Sequence, residues 1–218
     1  MELTELEQDA LKEFLNIGLG MAADSLSQMV DHEILLSLPQ LNVVSLEDAV
    51  HLIDHHEGDR LVAIRQNFSG ELSGTALLVF PGAEGLELVR TLLGENTPLE
   101  TLTELEQETL LDVGNVILNS FLSSFTQMIN LDFEFDPAEL FKAECRALLD
   151  LSTHRMVDEG MNDRSVQDEQ VFFLMMDFKT NEDDDRIKNS LHGYIIMLFS
   201  HEDMKMLKRE LERILSQF

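Results

Sequence analysis

The sequence predicts an α/β (α+β) fold with internal pseudo-twofold symmetry, on three observations. First, Leu3-Thr4-Glu5-Leu6-Glu7-Gln8 recurs as Leu102-Thr103-Glu104-Leu105-Glu106-Gln107, an offset of 99 at which Leu11 also matches Leu110, Asn16 matches Asn115, Leu19 matches Leu118, Ser25 matches Ser124 and Gln28-Met29 matches Gln127-Met128. Second, apolar residues follow each copy at helical spacing. Third, each half continues into a pair of β-rich runs. The chain therefore reads as two versions of one unit, spanning 1–99 and 100–218 and folding together as one compact domain.

In order along the chain, Thr4 followed three residues later by Glu7, and Thr103 by Glu106, are capping-box patterns that start a helix near residues 5 and 104. Leu11, Leu15, Leu19, Ala22 and Leu26 form the core stripe of the first helix, and Leu110, Leu111, Ile117, Leu118, Leu122 and Phe125 that of the second. Gly18 and Gly20 each lower helix propensity by roughly 1 kcal/mol relative to Ala, which predicts that another backbone presses close there. Strands are expected at 60–68 and 71–80, joined by Ser69-Gly70, and at 171–178 and 190–199, joined by a solvated acidic loop over 179–188. Helices at 83–93, after Pro81-Gly82, and at 201–217 close the two halves. The polar stretch 156–170 reads as a surface excursion without chemistry.

Composition narrows the function. Fifteen Lys and Arg against 42 Asp and Glu give a formal net charge of -27, which excludes a nucleic-acid backbone or an anionic lipid surface as the natural ligand. Cys145 is the only cysteine, so no internal disulfide or Cys-based zinc site is available, and the thiol is expected as a small core hydrophobe. No apolar run approaches the roughly 20 residues of a membrane span, and the N-terminus lacks a signal-peptide pattern, so a cytoplasmic protein without membrane insertion is expected.

Asp9, Glu13 and Asn16 share one stripe of the first helix, and Glu108, Asp112 and Asn115 repeat the spacing on the second. Acidic residues on a helix are usually just solvated. Asn, however, is a middling helix former, and its recurrence beside two carboxylates is not explained by propensity. Other candidates are weaker. His51, His55 and His56 with Glu57 and Asp59 have metal-ligand chemistry but read more simply as a polar loop before the strand at Arg60. A Gly-x-Ser-x-Gly elbow is absent, and Gly18-x-Gly20 lacks the third glycine and preceding strand of a phosphate loop. Met175, Met176, Met204 and Met206 fit core packing.

The run Asp9-x3-Glu13-x2-Asn16-x22-Pro39 resembles the signature of the CheC, CheX and FliY family of chemotaxis phosphatases, and Asn16 to Met29 is similar to the first helix of CheC. Glu108-x3-Asp112-x2-Asn115 resembles the second site of two-site CheC, with Asp112 where the family usually has Glu and Pro137 following Asn115 after 21 residues, not 22. The resemblance implies a CheC-like fold, helices packed on an antiparallel sheet shared by both halves, and hydrolysis of the aspartyl phosphate of a phosphorylated CheY-like response regulator. It implies catalytic roles for Glu13, Asn16, Asp112 and Asn115, and partner-binding roles for Asp9, Glu108, Pro39 and Pro137. The chain then needs no metal or cofactor of its own, because the magnesium belongs to the partner's receiver domain. The alternative is an adaptor that docks a response regulator, a CheD-like deamidase or a flagellar switch complex without hydrolysis.

Overall fold

The computed structural model describes residues 4–30, 33–54, 61–81, 85, 88, 103–143, 170–180 and 191–215. It opens with α1 (Glu5–Val30), followed by β1 (Ile34–Ser45), α2 (Leu46–Asp54), β2 (Leu61–Gly70) and β3 (Gly74–Pro81). The second half contains α3 (Glu104–Ile129), β4 (Phe133–Phe135), β5 (Glu139–Ala143), β6 (Gln170–Thr180), β7 (Leu191–Phe199) and α4 (His201–Leu215).

Both long helices start as their sequences demand. The Thr4 N–H donates to Glu7 Oε2 at 2.6 Å, and the Glu7 N–H donates back to Thr4 Oγ1 at 3.3 Å. Thr103 and Glu106 repeat this reciprocal box. The two boxes satisfy backbone N–H groups that a helix start leaves without intrahelical partners, and they explain why Glu7 and Glu106 are buried while their acidic neighbours are exposed. The α3 helix ends at Asn130, whose φ of 55° is the left-handed cap conformation that Asn tolerates.

The strands form one antiparallel seven-stranded sheet in the order β1-β6-β7-β3-β2-β4, with β5 also paired to β2. Each outer strand crosses the midpoint of the chain: β1 pairs with β6, and β4 and β5 pair with β2. The inner strands are buried on both faces. Val62, Ile64, Leu78, Phe172, Leu174 and Ile195 join the core beneath α1, α3 and α4, while Ala63, Leu77, Phe173, Tyr194 and Ile196 pack with Ala49 and Ile53 of α2 on the opposite face. Burial on both sides is why these segments read as continuous apolar runs instead of alternating ones.

The apolar stripes of α1 and α3 are buried as expected, apart from a half-buried Leu111. The Gly18 expectation also holds: a Cβ there would lie 2.7 Å from Ser124 Oγ and 2.9 Å from the Ser120 carbonyl, so α1 and α3 pack nearly backbone to backbone. Gly20 is a correction. A Cβ there would meet nothing within 4 Å, because the residue points outward. The turn after β2 is a second adjustment, since the strand runs through Gly70, whose φ of 148° favours glycine, and the chain reverses beyond it.

Three regions of structure were not predicted: β1, α2 and the β4–β5 segment. β1 alternates buried Ile34, Leu36 and Leu38 with exposed Leu35, Ser37 and Pro39, but its proline argues against a strand. The strand tolerates Pro39 because it lies at the sheet edge and bulges there. The expected helix at 83–93, apart from Gly85 and Leu88, lies outside the described residues, as do Cys145, residues 156–169 and the acidic loop beyond Thr180.

Candidate functional site

The outward stripe of α1 carries Asp9 and Glu13, both exposed, and Asn16, half-buried where the helix meets β1. Between Ser37 and Gln40 the register of β1 against β6 shifts, so Leu38 and Pro39 leave the ladder. A bulge of this kind leaves backbone polar groups needing other partners. Two side chains of α1 supply them. The Leu38 N–H donates to Asn16 Oδ1 at 2.9 Å, and Lys12 Nζ donates to the Pro39 carbonyl at 2.7 Å. Lys12 and Asn16 are four residues apart and so stack on one side of the helix.

The Leu38 bond also fixes which way the Asn16 amide points. A backbone N–H can only donate, so its partner must be the side-chain oxygen, and the Nδ2 hydrogens are left to face elsewhere. Among the described residues nothing else bonds to the Asn16 side chain. Elsewhere on the solvent side of α1, Leu6 is 67%, Ile17 55% and Met21 53% exposed. Gly20, one turn beyond Asn16, leaves the surface between them low.

The second stripe has a similar outline and different fittings. Glu108 and Asp112 are exposed and Asn115 is half-buried, with Pro137 exposed in the break between β4 and β5. Here the break is held by the sheet. The Asp136 N–H donates to the Asn67 carbonyl at 3.0 Å, and Gln66 Nε2 donates to the Asp136 carbonyl at 3.2 Å and to Asn119 Oδ1 at 2.9 Å. Leu111 stands where the first helix has Lys12, and among the described residues no hydrogen bond holds the Asn115 amide. The structure thus brings Asn16 to the segment ending at Pro39, but does not join Asn115 to the corresponding bend. Half-buried Val116 and Ser120 replace the exposed Ile17 and Met21.

Sequence reasoning missed Lys12, Leu38, Ile17 and Met21. The signal for the first pair was present: Pro39 cannot donate to a ladder, so an edge-strand irregularity there required polar partners, and Lys12 and Asn16 have the spacing to provide them. Of the histidine cluster, His51 lies on α2, not in a loop, and His55, His56, Glu57 and Asp59 fall outside the described residues. Among the described residues no group of three or more His, Cys, Asp or Glu could hold a metal ion, and no helix is long and apolar enough to cross a membrane.

No family model matches the chain. The chain is 22% identical over 210 residues to the CheY-P phosphatase CheC of Bacillus subtilis, an alignment covering 94% of this chain and 93% of CheC. It is 23% identical over 186 residues to the flagellar motor switch phosphatase FliY of the same organism, covering 83% of this chain and 44% of FliY. In fold it resembles the crystal structure of Thermotoga maritima FliY, with a TM-score of 0.71 and 16% identity over 98% of this chain and all of that one. The chain is thus similar to CheC nearly end to end, and Asn16 of its Asp9–Glu13–Asn16–Pro39 pattern is joined by a hydrogen bond to the β1 segment that ends at Pro39.

Proposed function

We propose that the chain is a duplicated phosphatase that hydrolyses the aspartyl phosphate of a CheY-like response regulator and so ends a chemotaxis signal. The observation that carries this reading is the Asn16 amide, anchored by its oxygen with its Nδ2 hydrogens left to donate, on the same helix stripe as the exposed Glu13. An acyl phosphate is already activated, so its hydrolysis needs a placed water and electrostatic support, with no covalent nucleophile from the phosphatase. Asn16 Nδ2–H donates to the oxygen of that water or to a phosphoryl oxygen, fixing the line of attack. Glu13 forms a charge-assisted pair with a lysine of the receiver, and Asp9 adds a flanking carboxylate. Pro39 shapes the bulge that anchors the amide. Magnesium stays with the receiver, and the chain supplies no ligand to it. On α3, Asn115, Asp112, Glu108 and Pro137 take the corresponding places.

The Asn16→Asp variant tests this directly. Its carboxylate still accepts the Leu38 N–H, so the fold and its thermal midpoint should be retained while the donor edge is lost. With a phosphorylated response regulator and magnesium, kcat should fall on the order of a hundredfold, as when one donor to a developing charge is removed. Wild-type turnover by a folded Asn16→Asp protein would overturn the mechanism. Wild-type protein that binds the regulator without releasing phosphate would make the chain an adaptor, of the kind that docks a switch complex or a CheD-like partner.

A further inference from the structure

The two hydrogen bonds where α1 meets the β1 bulge form one device. The bulge releases the Leu38 N–H and the Pro39 carbonyl within two residues of each other, and α1 takes up both, the first with Asn16 and the second with Lys12. Either bond alone leaves the bulge a pivot. With only the Leu38 bond, the edge segment can rotate about that contact and carry the Asn16 amide with it. With both, the helix grips the segment at two points, and the amide is held in one orientation. We infer that Lys12 is a positioning residue for the first face: it touches neither water nor phosphate, and sets the Asn16 amide by fixing the backbone that holds it.

Contrast with the second face strengthens the assignment. There the corresponding position is Leu111, the bend at Asp136–Pro137 is fastened by Gln66 and Asn67 of β2, and Asn115 is not part of the fastening. The polar helix residue is present where the amide is anchored to the bend and absent where it is not. A generic surface lysine, solubilising the helix, would show no such relation to its neighbour four residues on.

The test uses Lys12→Met, which keeps the alkyl stem and removes the donor, and Lys12→Arg, which keeps a donor of similar reach. Two readouts are made on the full chain. Hydrogen exchange at the Leu38 amide should be roughly tenfold faster in Lys12→Met than in wild type and near wild type in Lys12→Arg, because the anchored N–H opens more often. Turnover of a phosphorylated response regulator should fall about tenfold in kcat in Lys12→Met with KM little changed, and Lys12→Arg should restore most of it. The kinetic arm rests on the phosphatase reading and the exchange arm does not. If wild type proves inactive, that reading fails while Leu38 exchange still decides the role of Lys12. Unchanged Leu38 exchange in Lys12→Met, or loss of activity through KM alone, overturns the assignment.

Discussion

Asn16 answers to two demands at once, and this changes how it should be probed. Its oxygen satisfies a part-buried backbone N–H, so Asn16→Ala removes the proposed chemistry and also orphans Leu38, at a cost of about 1 kcal/mol in stability. Among the described residues Asn115 satisfies no such group, and its truncation should leave stability unchanged. A kinetic asymmetry should accompany the structural one. Asp112 is one carbon–carbon bond, about 1.5 Å, shorter than Glu13, and Asn115 is unanchored, while misplacement on the order of 1 Å costs roughly a hundredfold in a positioned reaction. Measured as kcat/KM on one phosphorylated regulator, Asn16→Asp should therefore remove most of the activity, Asn115→Ala little, and Asp112→Glu should raise the total. A larger loss from Asn115→Ala would mean that a free amide serves better than an anchored one. The asparagines were legible in the sequence because they recur beside carboxylates at a fixed spacing. Their different anchoring was not, because it depends on which element satisfies a strand bend: α1 in one half and β2 in the other.

At the level of elements, the two glycines of α1 separate packing from surface. Gly18 lies against Ser120 and Ser124 of α3, and the atom nearest a new Cβ on the backbone side, the Ser120 carbonyl, cannot move without shifting the helix. Gly18→Ala should destabilise the protein by about 1–3 kcal/mol through overpacking. Gly20 has open space and no packing reason to be glycine. Gly20→Ala should gain up to about 1 kcal/mol from helix propensity, raising the melting temperature by about 2–4 °C. If the low surface beside Asn16 admits a partner, the same change should lower kcat/KM on the regulator. Thermal unfolding and steady-state kinetics of both variants check the pair, and a destabilised Gly20→Ala protein would refute the division. The helix starts were readable to the residue, since a capping box is a local pattern with a local cause. The shared six-residue segment owes at least its Thr and Glu to that cause, so its recurrence marks the fold more than the site. Strand β1 was not readable, because an edge position that tolerates proline is decided by neighbours remote in sequence.

For the whole molecule, the sheet decides whether the two halves can stand alone. The repeat predicts halves at 1–99 and 100–218, and a reader of sequence alone would cut there. The strand order makes that cut costly. β1 has its ladder partner, β6, in the second half, β2 has two of its partners, β4 and β5, there, and β3 pairs across the centre with β7. Among the described residues of the first half alone, only the β2–β3 hairpin keeps a ladder, and an isolated hairpin is marginal in water at best. The α1 core stripe would also lose α3, against which Gly18 is packed. A polypeptide of residues 1–99 should therefore be unfolded as a monomer by circular dichroism and amide dispersion, and so should 100–218. Mixed in equal amounts, they should regain the spectrum of the full chain, because every lost ladder is then available in trans. A monomeric, cooperatively melting 1–99 fragment would show that the exchanged outer strands are dispensable. Recovery on mixing, with neither half folded alone, would show that the pairing of the halves is what creates the two faces.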